Sequence, residues 1–215
     1  MTWLADNWRT VLDLAASHLY LAGVPLLVGV VVSLPLGWAA KRWSRAYPAI
    51  ITSTGLLYTI PSLALFVIMP IILGTKILDP VNVVVAMTIY TVALLVRTVA
   101  DGLRSVPDHI EQAATAMGYK GLRRLFGVEL PLAVPVIAAG LRVAAVSNVS
   151  IVSVASVVGV SQLGDLLLDG YNRIIWGELV TGIVACVLLA LVLDVLILAG
   201  SRLLTPWTRA QGGRA

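Results

Sequence analysis

The chain has 215 residues, of which 59% are hydrophobic and only 12% are charged, whereas soluble globular domains are about 45–50% apolar and about 25% charged. Its mean hydropathy of +0.96 excludes an ordinary soluble domain and predicts an all-α integral membrane protein. The net charge of +4 arises from basic residues beside apolar segments, which indicates membrane topology and not a nucleic-acid surface. The single cysteine, Cys186, excludes a disulfide framework within one chain.

Five segments are long and apolar enough to span a membrane, because a helix needs roughly 20 apolar residues to cross the hydrocarbon core. They are residues 20–40, 50–73, 81–100, 132–152 and 179–200. The fourth apolar stretch continues beyond a single crossing, which predicts a re-entrant or short segment whose residues 158–164 lie on the translocation side. Residues 1–18 are too polar to span, and we expect them to lie on the outer surface.

Lys and Arg are concentrated in the cytoplasmic loops of membrane proteins. In this chain they follow the first, third and fifth predicted spans: Lys41, Arg42, Arg45, Arg104, Lys120, Arg123, Arg124, Arg202, Arg209 and Arg214. The opposite side has only Arg9, Lys76 and Arg173. We therefore predict an outer N-terminus, an inner C-terminus and five transmembrane helices.

A long cytoplasmic connection, residues 106–131, lies between the third and fourth predicted spans. Long connections in membrane and soluble domains are usually functional. Ser105 and Asp108 have the spacing of a capping box around Pro107, and Gly118 is a typical C-terminal stop. These signals predict a helix over about residues 106–117.

Four apolar residues recur at the spacing of one helical face: Ile110, Ala113, Ala114 and Met117. The two alanines are predicted to make that face shallow enough to fit a cleft on a partner. A second short helix over about residues 122–130 is expected to end at Pro131, where the fourth span begins. The pattern alone leaves two interpretations open, a surface helical hairpin or a surface that docks a partner.

The spacing of QAATAMG, from Gln112 to Gly118, and of VELP nine residues later resembles the EAA loop of ABC importer permeases. In that family Glu-Ala-Ala, three residues, Gly, nine residues and Ile-x-Leu-Pro recur. Gln112 stands where the family usually has Glu, and Val128 replaces Ile. The resemblance implies that the loop docks an ATPase through Gln112, Ala113, Ala114, Gly118, Leu130 and Pro131.

Three more segments resemble the permeases of osmoprotectant importers for glycine betaine, choline or carnitine. They are YTIPSLALF (58–66), IYTVALLVRTVADGL (89–103) and VVGVSQLGDLLLDG (157–170); the last departs from the usual Gly-Ala-Gly-Gly-Leu-Gly. The resemblance implies a multi-pass permease subunit of a bacterial cell membrane. It also implies three partners: ABC ATPase subunits, a second permease chain and an extracytoplasmic solute-binding protein. ATP and magnesium are expected on the ATPase, and no cofactor on this chain.

Polar residues within predicted spans usually face a bundle interior or a cavity. The candidate pathway residues are Tyr58, Thr59, Pro61, Ser62, Tyr90, Thr91, Ser147, Asn148, Ser150 and Ser153. Tyr58 and Tyr90 are the best candidates for a quaternary ammonium solute, since aromatic faces attract cations. Packing hydrogen bonds between helices are the alternative for the polar residues of this set, and a structural role is the alternative to a functional one for the intramembrane charges Arg142 and Asp194.

Other classes of protein fit less well. The sequence has no HExxH, GxSxG or Walker A motif, so we expect no enzyme and a separate source of ATP hydrolysis. A secondary transporter and a permease for another small solute, such as an amino acid, remain the alternatives. Five spans without an evident second repeat make half a pathway, which favours a permease subunit that pairs with a copy of itself or with a related chain.

Overall fold

Helices make up almost all of residues 2–43 and 45–207, the part of the chain that the computed structural model describes. They are α1 (Thr2–Arg42), α2 (Tyr47–Tyr58), α3 (Ser62–Leu73), α4 (Pro80–Arg104), α5 (Asp108–Ala116), α6 (Gly121–Arg124), α7 (Leu130–Val152), α8 (Gly164–Asn172) and α9 (Trp176–Leu204). A π-helical turn, Leu125–Glu129, joins α6 to α7, and a 3-10 turn, Ser153–Val158, follows α7. The predicted all-α class is confirmed. Met1, Arg209 and Arg214, which the topology prediction included, lie outside the described residues.

Four helical segments in the described part of the chain are long and apolar enough to cross a membrane: Trp3–Arg42, Pro80–Arg104, Gly121–Val158 and Trp176–Leu204. Helices α2 and α3 meet this requirement only as a pair, and the pair is bent by 99°. The bend lies at Pro61, which has no N–H to donate and disfavours a helical residue before it. The segment predicted as one span, residues 50–73, is therefore a broken span or a re-entrant loop.

Residues 2–18 of the predicted outer segment and the first predicted span, residues 20–40, form one continuous helix in the structure. Residues 2–22 contain neither Gly nor Pro, so nothing in this part of the sequence ends a helix, and Pro25 and Pro35 lie inside α1 without ending it. At 1.5 Å per residue the helix is about 62 Å long, roughly twice the thickness of the hydrocarbon core.

Helix α4 lies at the centre of the bundle, between α1 and α7. Gly29 of α1 faces Thr91, and Gly37 faces Val99 so closely that a Cβ on Gly37 would lie 2.5 Å from Val99 Cγ1. Small residues allow such close approach where no hydrophobic force drives helices together in lipid. Both contacts advance by eight residues on each helix, so α1 and α4 run parallel.

Helix α7 packs on α4 in the opposite direction, because Gly140 faces Thr98 while the later residue Asn148 bonds to the earlier residue Thr91. The Gly140–Thr98 contact is again close enough to exclude a side chain on the glycine.

Helix α9 in turn runs antiparallel to α7. Arg142 pairs with Asp194 in a two-pronged ion pair, Nε to Oδ1 at 2.6 Å and the second guanidinium nitrogen to Oδ2 at 2.8 Å. Ser153 Oγ, further along α7, contacts the earlier Cys186 Sγ at 3.8 Å. Paired charges are the usual form of ionisable groups at membrane depth, so this pair accounts for both intramembrane charges as an interhelical link.

We predict that Gly37→Leu destabilises the chain by about 1–3 kcal/mol relative to Gly200→Leu, because the new side chain overpacks the contact with Val99. Gly200 is a suitable control since a Cβ there meets nothing within 4 Å and the gain in helix propensity is the same at both positions. Denaturant unfolding of the purified chain in detergent measures the difference. Equal stability of the two variants would contradict the role given to Gly37.

Candidate functional site

The connection between α4 and α7 begins with α5, which is shorter than the predicted helix over residues 106–117. Its N-cap is Pro107, without a side-chain cap. Ser105 Oγ instead donates to the carbonyl of Gly102 at 2.7 Å, so the predicted capping box is wrong: the hydroxyl bonds back into the last turn of α4. Asp108 and Glu111 lie in the first turn of α5, where negative charge is favourable.

The predicted stop at Gly118 is confirmed. Gly118 has a φ of +87°, which glycine adopts without strain. Its N–H donates to Thr115 O at 3.0 Å, and the N–H of Tyr119 donates to Ala114 O at 3.0 Å. These two bonds form a Schellman motif, which ends α5 rigidly.

The adjacent alanines of the EAA-like segment have different environments. Gln112 and Ala113 are exposed, whereas Ala114 is 1% exposed and packs inside the chain. Consecutive residues lie about 100° apart around a helix, so the predicted common face of the two alanines is wrong. Met117, the C-cap residue of α5, is 71% exposed.

The predicted helix end at Pro131 is also wrong, because the backbone remains helical from Gly121 to Val152. Leu130 N–H bonds to Leu125 O across the π-helical turn. This turn directly precedes Pro131, which has no N–H to donate to the preceding turn. Leu130 and Pro131 are both half-buried. The loop is thus continuous with α7.

Four charged residues from α1, α5 and the segment between α5 and α7 form a cluster that we call the charge ring: Lys41, Glu111, Arg124 and Glu129. Lys41 Nζ lies 2.5 Å from Glu111 Oε1 and 2.9 Å from Glu129 Oε2. Arg124 lies 2.6 Å from Glu129 and 3.6 Å from Glu111. Each carboxylate therefore contacts both cations, and the signs alternate around the ring.

The charge ring is a junction of three parts of the chain: the end of α1, helix α5, and the segment leading into α7. Glu129 is 2% exposed, and the π-helical turn that holds it is a feature often found at functional sites. Arg124 also donates to Thr115 Oγ1 at 3.1 Å, which adds a second link to α5.

The candidate pathway residues of the second predicted span lie at the bend between α2 and α3. Tyr58 is 40% exposed, and its ring meets that of Tyr90 edge-on with centroids 5.6 Å apart. The Tyr90 hydroxyl donates to the carbonyl of Ile60, a carbonyl that the break in the helix leaves free. Thr59 and Pro61 are exposed and Ser62 is half-buried.

Two other candidate pathway residues, Thr91 and Asn148, are fully buried. Asn148 Nδ2 donates to Thr91 Oγ1 at 2.9 Å and to Ala22 O at 3.2 Å, which joins α1, α4 and α7. These are packing hydrogen bonds within the chain, which was the alternative left open for both residues.

The serines of the fourth predicted span differ among themselves. Ser147 is half-buried and Ser150 is exposed. Ser153 is half-buried and donates to Val149 O at 3.3 Å.

A buried hydrogen-bond cluster at the opposite end of the bundle was not predicted. His18 is fully buried, with Nδ1 2.8 Å from Gln162 Oε1 and Nε2 3.0 Å from Val149 O. The Gln162 oxygen also accepts from the N–H of Gly164 at 2.6 Å, and its nitrogen donates to Ser153 O at 3.3 Å. Residues 158–164, which we expected on the translocation side, are thus held against α1.

We predict that Gln162→Leu destabilises the chain by about 1–3 kcal/mol, because the partners of the buried amide lose their hydrogen bonds. Thr181→Ala is the control, since that exposed hydroxyl bonds to Gly177 O within its own helix. Denaturant unfolding in detergent compares the two variants. A Gln162→Leu chain as stable as Thr181→Ala would show that the cluster contributes nothing to the fold.

The fold and these sites define a polytopic helical membrane protein with a helical connection between α4 and α7 and a broken helix beside its central helix. Its sequence has no HExxH, GxSxG or Walker A motif. Residues 26–210 match the family described as the binding-protein-dependent transport system inner membrane component. The chain belongs to this family. It is therefore a multi-pass permease subunit of an importer in which separate subunits hydrolyse ATP.

Curated relatives match over almost their whole length. The osmoprotectant import permease protein OsmW of Salmonella typhimurium is 33% identical over 207 residues, 95% of this chain and 96% of the relative. The glycine betaine/carnitine/choline transport system permease protein OpuCB of Bacillus subtilis is 29% identical over 206 residues, 96% of this chain and 94% of the relative. The choline transport system permease protein OpuBB of the same species is 29% identical over 204 residues, 95% and 93% of the two chains.

The fold is also that of a solved transporter. A chain of the MetNI methionine ABC transporter, in an inward-facing conformation, superimposes with a TM-score of 0.81 over 95% of this chain and 98% of that chain. The two sequences are 21% identical. The likeness establishes a common fold.

Proposed function

We propose that this permease imports compatible solutes with a quaternary ammonium group, such as glycine betaine, choline or carnitine. The observation that carries the proposal is the near-complete alignment with permeases named for those solutes, at 29–33% identity. ABC ATPase subunits, a second permease chain and a solute-binding protein complete the importer.

A permease for an amino acid is the second candidate, since the shared fold extends to a methionine transporter. Sequence identity to that transporter is lower than to the osmoprotectant permeases. The aromatic pair at the bend also favours a quaternary ammonium solute over a hydrogen-bonding amino group.

In our proposal the chain crosses the membrane five times, with the N-terminus outside. Helices α7 and α9, each antiparallel to the long helix before it, add the fourth and fifth crossings and support an odd total. Because α1 and α4 run parallel, the segment between them must return the chain to the other end of the bundle, which is the second crossing. The bent pair of α2 and α3 makes that return. The contact of Lys41 with Glu111 supports placing the end of α1 and the docking loop on one side.

The ATPase docks on the exposed face of the loop that follows α4, in this proposal through Gln112 and Ala113 and through the rigid turn at Gly118. Large apolar side chains on the same loop support this: Met117, Leu122 and Phe126 are 57–71% exposed. Exposed apolar groups among basic residues mark protein interaction sites. Leu130 and Pro131 act behind this surface, at the start of α7.

The solute passes the bend between α2 and α3, where Tyr58, Thr59 and Pro61 are exposed and Ser62 is half-buried. Helix breaks at membrane depth are tolerated where they line a cavity or are covered by protein. Tyr58 offers its ring to the solute, and Tyr90 holds that ring edge-on. Ser147 and Ser150, on the partly exposed side of α7, are the remaining polar pathway candidates.

Docking is tested with Ala113→Asp. We expect this variant to lose the ATPase during co-purification, because a charge on the shallow face of α5 must be desolvated in the interface. Ala5→Asp, at an exposed alanine of α1, should retain the ATPase. Full association and uptake in Ala113→Asp would refute the docking surface.

The solute is tested with Tyr58→Leu and Tyr58→Phe in the complete importer. Loss of the ring should lower uptake of betaine, choline and carnitine relative to proline by about 2- to 30-fold, the range that cation–π attraction spans. Tyr58→Phe keeps the ring and should keep the ratio. An unchanged ratio in Tyr58→Leu would remove Tyr58 from solute selection.

A further inference from the structure

Helix α5 is only weakly attached to the rest of the chain by apolar packing. Of its nine residues only Ala114 is buried, and its neighbours are α6 and the π-helical turn. A cavity of about 260 Å³ lies between Trp38 and Arg42 of α1 and Thr115 and Tyr119 of the loop. The end of α1 thus lies across this cavity from the loop, and α5 itself buries a single side chain.

The charge ring bridges this gap. Lys41 reaches from the last turn of α1 to Glu111 in the first turn of α5 and to Glu129 before α7. No other ion pair between α1 and α5 occurs among the described residues. Lys41 and Glu111 lie 70 positions apart in sequence, so the link is not imposed by chain connectivity.

We propose that the charge ring couples the docking helix to α1, so that a displacement of α5 by the ATPase moves α1 and α7 together. Lys41 and Glu111 are positioning residues in this mechanism, which rests on the proposed docking of the ATPase at α5. The physical basis is the cost of separating the ring, since pulling α5 away would leave the partly buried Glu111 without its two cations.

The alternation of charges makes the link stiff in more than one direction. Glu111 is held from one side by Lys41 and from the other by Arg124, while Glu129 contacts the same two cations. Arg124 also bonds to Thr115, four residues after Glu111 on α5. Two successive turns of α5 are therefore tied to the ring, which opposes rotation of the helix as well as translation.

The ring can be opened without leaving a buried carboxylate unpaired. Glu111→Ala removes the contribution of α5, but Glu129 still contacts both Lys41 and Arg124. Lys41→Met removes the contribution of α1, but Arg124 still contacts both carboxylates. Alanine also favours the helical conformation, so we expect both variants to fold and assemble.

The experiment uses the complete importer, with its ATPase, its receptor and a second permease chain, reconstituted in vesicles. It measures three quantities: the ATPase content of the purified complex, ATP hydrolysis stimulated by solute-loaded receptor, and solute molecules imported per ATP hydrolysed. In Glu111→Ala and in Lys41→Met we expect normal ATPase content and a ratio of solute to ATP lowered by about 2- to 30-fold, which corresponds to the usual coupling free energy of such residues. The conservative variant Lys41→Arg should retain the ratio of the unmodified chain, because it keeps the cation.

In the double variant, Glu111→Ala with Lys41→Met, the ratio of solute to ATP should be no lower than in the more impaired single variant, since both substitutions open the same link. The control is Arg97→Ala, which removes the exposed pair between Arg97 and Asp101 on α4, with 69% and 48% of the side chains exposed. It should leave the ratio unchanged, as exposed pairs contribute little.

Two results would overturn the proposal. An unchanged ratio of solute to ATP in Glu111→Ala would show that α5 moves α1 by another route, or not at all. Loss of ATPase content in Glu111→Ala would assign the ring to folding and assembly. Docking itself is judged by ATPase content in the unmodified chain and in Ala113→Asp, so the two proposals fail on different measurements.

Discussion

The structure depends on the close approach of α4 to α1 and α7. In lipid, apolar surface gains little from burial against apolar surface, so helices associate through van der Waals packing and interhelical hydrogen bonds. Gly29, Gly37 and Gly140 bring the backbones near enough for both. The hydrogen bonds between Asn148, Thr91 and α1 can form only because these glycines allow the helices to meet.

This dense centre divides the polar residues of the membrane helices into two groups. Those at helix crossings, such as Asn148 and Thr91, are buried and hydrogen-bonded within the chain. Those at the break between α2 and α3 remain exposed, with Tyr58 at the surface. A rigid bundle that exposes its polar groups at a helix break is suited to line a path when a second chain covers that face.

Local signals in the sequence predicted much of this structure, whereas contacts between residues far apart in the chain could not be predicted from the sequence. Hydropathy predicted the helical class, and Gly118 predicted the end of α5, because both depend on a few neighbouring residues. His18 and Gln162 are 144 positions apart, and no local pattern indicates their pairing. Ala113 and Ala114 match a known spacing equally well, but only packing decides which of them is buried.

The charge ring has a further property that follows from its burial and its neutrality. Two positive and two negative side chains cancel at long range, and dissolved ions screen buried pairs much less than exposed ones. The exposed pairs of Arg97 with Asp101 and of Arg173 with Asp169 weaken as ionic strength rises, whereas the ring, with Glu129 2% exposed, does not depend on it in the same way. The connection between α1 and α5 thus keeps its strength when the salt content of the surrounding solution changes.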